Sequence, residues 1–104
     1  MAESGMLPPA TPTSRSRNWT ILTNHAAVLV CIARNPGIRI DDVAAEIWIS
    51  RRAAQMIVSD LAQDGYIDRT RVGRRNQYRV REDMPLRRRG FQDSDVRALL
   101  TLLR

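Results

Sequence analysis

Lysine is absent from this 104-residue chain; all 17 basic residues are arginine, alongside one histidine, His25, and one cysteine, Cys31. A single cysteine excludes an internal disulfide. A lone histidine with no second histidine or cysteine at ligand spacing argues against zinc, so no metal is expected. No apolar run approaches the roughly 18 residues of a membrane span. Met6-Leu7-Pro8-Pro9 is too short and too proline-broken for the apolar part of a signal peptide. These absences lead to the expectation of a cytoplasmic protein with no membrane contact. Catalytic patterns are missing too: there is no Gly-rich phosphate loop, no cysteine pair, and no serine or cysteine motif near His25. Cys31 falls inside an apolar helix without a basic neighbour on its face, the setting of an inert core thiol. The expectation is a non-enzyme without a cofactor.

What the chain does have is positive charge, unevenly placed. The formal net charge is +6. Residues 1–50 hold four arginines and four acids, residues 51–81 eight arginines and three aspartates, and residues 82–104 five arginines and four acids. Almost all of the excess therefore sits between residues 51 and 81, which points to a polyanionic partner. The length fits one domain with a modest core.

Residues 1–18 are rich in Pro, Ser and Thr without apolar periodicity and read as a disordered arm. A first helix, capped by Thr23 or Asn24, runs to about Arg34 and stops at Asn35-Pro36-Gly37. Its apolar residues cover more than one face, so it is expected to be well buried. Ile38-Arg39-Ile40 reads as a short extended piece able to pair with a later hairpin. Asp41 is the expected cap of a second helix ending near Ile47, and Trp48-Ile49-Ser50 forms a tight turn. Ser50 caps a third helix over residues 51–64, in which Ala54, Ile57, Val58 and Leu61 fall at i, i+3, i+4 and i+7. Gly65 is a suitable stop.

Residues 66–72 and 77–81 then alternate as two strands around Gly73-Arg74-Arg75-Asn76, one side expected to pack and the other to stay basic and wet. After Pro85, Leu86-Arg87-Arg88-Arg89-Gly90 reads as a solvated linker. A last helix, capped by Asp93 or Ser94, carries Val96, Leu99, Leu100 and Leu103. Two readings of that helix stand: a dimerisation element built on these four residues, or a helix folded back on the first one. Helix, turn, helix and basic hairpin in this order define a winged helix-turn-helix, mainly α with a small β-hairpin, over residues 19–86, with residues 87–104 as linker and C-terminal helix.

The stretch from Trp19 to Leu86 resembles the MarR-like winged-helix regulators, particularly short bacterial members. The residues that carry the resemblance are Asp42-Val43-Ala44-Ala45-Glu46-Ile47, Ile49-Ser50-Arg51-Arg52-Ala53-Ala54, Leu61-Ala62-Gln63-Asp64-Gly65-Tyr66-Ile67 and the hairpin Arg69 to Val80. The resemblance implies a homodimer on a pseudo-palindromic operator, usually a repressor. It places Ser50, Arg51, Arg52, Gln55 and Ser59 at recognition-helix contacts, and Arg74 and Arg75 at the wing tip. Two positions depart from the pattern. Trp48 stands where the family commonly has Gly in the inter-helix turn, and Met56 where relatives often carry a polar or basic residue. The chain is also short for the effector pocket of larger members, so a small-molecule effector is not indicated.

Arg51, Arg52 and Gln55 occupy the first turns of the third helix, where arginine suits guanine and glutamine suits adenine. Met56 suits a thymine methyl, and Ser59 continues the polar face. Arg74 and Arg75, with Asn76 in the same loop, suit phosphates or the minor groove, flanked by Arg69, Arg71 and Arg79. The expected partner is double-stranded DNA. A protein-interaction module and a non-specific chromosome-organising binder are the alternatives.

Overall fold

The computed structural model describes residues 18–104. The arm expected over residues 1–18 lies outside the described residues apart from Asn18. The described elements are α1 (Asn24–Arg34), α2 (Ile40–Ile47), α3 (Arg51–Gln63), β1 (Ile67–Val72), β2 (Arg75–Val80) and α4 (Val96–Leu103). Together they make a mixed α+β fold of helices around one antiparallel hairpin. Among the described residues no helix is long and apolar enough to cross a membrane.

α1 is the centre of the core. Thr23 caps it, its hydroxyl accepting from the Ala26 N–H at 3.1 Å, and it ends at Asn35, ahead of Pro36. The proline disfavours helical geometry in the residue before it and cannot donate to the helical ladder. The consecutive residues Val28 to Ile32 are all buried.

α2 starts one residue before the expected cap. Arg39 occupies the cap position without a side-chain bond, and its carbonyl accepts from Asp42 and Val43, both at 3.0 Å. Asp41 and Asp42 lie in the first turn instead, where their charge favours the helix dipole. This also corrects the extended piece expected over residues 38–40. Ile38 is buried in the core and its N–H bonds back to Asn35, so the chain turns directly into α2. The hairpin keeps one backbone link to this region, from the Tyr78 N–H to the Pro36 carbonyl at 2.9 Å.

α3 is capped by Ser50, whose hydroxyl accepts from Ala53 at 3.0 Å. Ala54, Ile57, Val58 and Leu61 are buried together. Gly65, at φ 84°, turns the chain into the hairpin. The strands pair from Ile67 with Val80 to Val72 with Arg75, so Arg75 and Asn76 belong to β2, and the turn is Gly73-Arg74 alone. The only positive φ of that turn is at Gly73 (63°), the pattern of a type II′ turn.

Beyond β2 the chain doubles back under the helices. The Tyr66 hydroxyl donates to the Pro85 carbonyl at 2.6 Å, and Val96 N–H bonds to Met84. The cap of α4 is Asp95, not Asp93 or Ser94: its carboxylate accepts from the Ala98 N–H at 3.1 Å. α4 packs on α1, and the Arg34 guanidinium holds the Leu103 carbonyl at 2.6 and 3.1 Å. Glu82 fixes the far side through Arg104 at 2.7 Å and Arg97 at 3.4 Å. Hydrogen bonding from Arg104, reinforced by Arg97, holds the Glu82 carboxyl below the usual carboxylate range. That anchor is complete above the ordinary glutamate pKa and is lost as pH falls through the lowered one.

Val96 and Leu100, two of the residues expected on a dimer face, are each 1% exposed within their own chain. Leu99 and Leu103 are half-buried, whereas Leu102 is 82% exposed. Leu100→Ala should therefore destabilise the monomer by about 2–5 kcal/mol. The urea midpoint measures this; a change under about 0.5 kcal/mol would mean that α4 adds little to the core.

Candidate nucleic-acid interface

α3 presents two opposed stripes. Arg52, Gln55, Met56 and Ser59 recur at i, i+3, i+4 and i+7 and are all exposed, the complement of the buried stripe that begins at Ala54. Arg51 stands beside them at the amino-terminal turn. Ser50, by contrast, has its hydroxyl engaged in capping.

Asp60, the one acid within α3, and Asp64, its C-cap, are each paired away from this stripe. Asp60 meets His25 of α1 at 2.9 Å. Asp64 holds Arg87, at 2.5 Å, and this raises the Arg87 pKa. The polar stripe consequently has no carboxylate of α3 on it. Arg87, expected in a free linker, is thus tied to the end of α3, while Arg88 and Arg89 stay exposed.

The hairpin register changes the picture of its faces. Cross-strand partners share a face, so Arg69 and Arg71 lie with Ile67, Tyr78 and Val80, whereas Arg75 and Arg79 lie with Asp68, Thr70 and Val72. The expected division into a packed face and a basic face does not hold. The division runs along the hairpin: its base is buried through Ile67 and Tyr78, and its outer part carries arginine on both faces.

Several of these arginines are held in place. Arg51 pairs with Asp41 at 2.8 Å. Arg75 donates to the Gly37 carbonyl, and Arg71 to Gly73 at 3.2 Å. Asp68 takes Arg79 and Arg81, each at 3.2 Å. The hydrogen bond from Arg79, with help from Arg81, holds the Asp68 carboxyl below its ordinary range. Arg52, Arg69 and Arg74 make no ion pair or side-chain hydrogen bond among the described residues. Asn76 is half-buried near the tip.

Trp48 was not among the candidate contacts, yet it lies in the turn between α2 and α3 and is exposed. It is the C-cap of α2 in left-handed geometry, φ 60° and ψ 48°, and is 93% exposed. The departure from Gly at this position is therefore accommodated by strain, with the ring turned out into solvent. Its signal in the sequence was the missing glycine of the turn.

Elsewhere the structure offers little chemistry. Cys31 is buried, and burial, with Glu46 adding to it, pushes its thiol pKa up; Arg34, one turn on in α1, opposes the shift without reversing it, which corrects the expectation of no basic neighbour. Among the described residues no group of His, Cys, Asp and Glu could hold a metal ion. An apolar cleft of about 950 Å³ opens between α1, the end of α3 and the segment around Phe91, on the side that carries the His25–Asp60 and Asp64–Arg87 pairs. Comparison with protein-family models, with curated proteins and with solved structures finds no match to this chain.

Left-handed geometry costs an ordinary residue about 1–2 kcal/mol, whereas glycine loses about 0.5–1 kcal/mol of backbone entropy. Trp48→Gly should thus leave stability unchanged or raise it by up to about 1 kcal/mol, read from the urea midpoint. A loss above about 1 kcal/mol would mean that the indole packs on the fold.

Proposed function

We propose that the chain is a winged helix-turn-helix protein that binds double-stranded DNA in a sequence-specific way and regulates transcription. In this reading α3 enters the major groove. Arg52 and Gln55 read base edges, Met56 meets a thymine methyl and Ser59 lies further along the groove. The hairpin lies on the backbone or in the minor groove through Arg69, Arg74 and Arg75, with Arg71 and Arg79 beside them. The observation that supports the reading best is the exposed stripe of α3, with Asp60 and Asp64 paired away from it, together with the cleft that brings Arg51 at the start of α3 to Arg74 and Arg75 of the hairpin.

Repression by occlusion of a promoter is the simplest consequence of such binding, with no catalytic step and no cofactor. A homodimer on a two-fold operator fits the reading. Built on α4, it would use Leu99, Leu102 and Leu103, since Val96 and Leu100 already serve the core. Trp48 and Met56, 93% and 61% exposed, favour one second reading, a protein-docking surface that uses exposed apolar side chains.

Fluorescence anisotropy with a duplex from the protein's own promoter and with a scrambled duplex, over a salt series, tests the proposal. Salt-dependent binding that prefers the promoter is the expected outcome. Arg52→Ala should reduce that preference by about 1–3 kcal/mol. No binding to either duplex at low salt would reject DNA in favour of protein docking.

A further inference from the structure

Between the hairpin and the start of α2 lies a second cleft, of about 400 Å³, lined by four arginines: Arg39, Arg51, Arg74 and Arg75. They come from three separate parts of the chain: the α1–α2 connection, the first turn of α3, and the hairpin tip. Among the described residues Asp41 is the single acid in the lining, and Arg51 already pairs with it. The Gly37 carbonyl holds Arg75. Two guanidinium groups are thus oriented in advance, while Arg39 and Arg74 have no ion pair among the described residues. The amino-terminal end of α2 opens here without a side-chain cap, though Asp41 and Asp42 in its first turn offset its dipole. Asp41 offsets one of the four positive charges; the remaining excess repels itself unless a further anion lies among them.

We infer that this cleft binds a phosphodiester of the DNA backbone, with Arg39 as a ligand and with Arg51 acting on the backbone rather than on a base. The inference rests on the DNA reading above. Guanidinium forks match phosphate oxygens, and an ordered pair loses less entropy on binding. The position explains the choice of strand phosphate: Arg51 begins the helix whose next residue, Arg52, opens the exposed stripe. A strand whose bases meet Arg52 and Gln55 passes its phosphates between that turn and Arg74. Base readout then falls to Arg52 and Gln55, and the cleft sets the register of the duplex.

The test uses the full chain and four proteins: wild type, Arg39→Ala, Arg51→Ala and, as a charge-matched control on α4, Arg97→Gln. Each is titrated with the promoter and scrambled duplexes over a salt series. Arg39→Ala and Arg51→Ala should each weaken both duplexes by the same factor and flatten the log–log salt slope by about 0.9. Arg97→Gln should leave the slope as in wild type. An unchanged slope in Arg39→Ala, with wild type still binding, would overturn the cleft while sparing the DNA reading. So would a changed promoter-to-scramble ratio, which marks a base contact. A second arm titrates inorganic pyrophosphate into the wild-type protein and follows backbone amide resonances. Shifts centred on Gly37 and Asp41, together with competition against duplex, support the inference. Pyrophosphate binding in a protein that binds no duplex would overturn the backbone assignment in favour of a free phosphorylated ligand. Absence of both kinds of binding would overturn the cleft and the DNA reading alike.

Discussion

The burial of α1 is the constraint from which the rest of the fold follows. Val28 to Ile32 are consecutive, so they point around the whole helix, and all are buried. A helix apolar all round must be covered on every side. In a chain this short, nearly every other element has to take part. α2 and α3 cover one side, β2 another and α4 a third. This explains why the carboxyl-terminal segment returns to the core instead of remaining a separate arm. Val96 and Leu100 close the surface that would otherwise leave α1 open. Small domains bury a low fraction of their surface, so each covering residue weighs heavily.

With its apolar side committed to α1, α3 has one face left over, and the ion pairs decide what that face is. His25 and Arg87 draw Asp60 and Asp64 toward α1 and the loop after β2. Asp41 and Asp68 act differently: they sit among arginines and fix their directions. Exposed pairs of this kind contribute little to stability. Their effect is to pair Asp60 and Asp64 away from the exposed stripe of α3 and to fix the directions of Arg51, Arg79 and Arg81. That arrangement matters for a polyanion, which responds to the local field more than to the net charge of the molecule.

Trp48 shows the opposite logic. It has left-handed backbone geometry without glycine's freedom and gains no packing in return. Strain of this kind at a residue 93% exposed is a property of the surface rather than of the core.

The sequence by itself determined the local elements. Period 3.6 in α3, the caps Thr23 and Ser50, the stop at Asn35-Pro36 and the glycines at 65 and 73 are short-range instructions, and the corresponding helices and hairpin are present. The face of α3 was legible for the same reason, since a helix fixes which residues share a side. Only the tertiary structure decided what depends on contacts between distant residues. The start of α2 at Ile40 came from Ile38 entering the core, and the choice of Asp95 as a cap came from the docking of α4. The cross-strand register put arginines on both faces of the hairpin, which alternation in a single strand cannot reveal. The meeting of Arg39 with Arg74 and Arg75 was invisible in sequence because some thirty-five residues separate them. Local hydrogen bonds and periodicity are written in neighbouring residues, whereas the pairing of charges and the covering of the apolar middle of α1 are set by the packing of the whole chain.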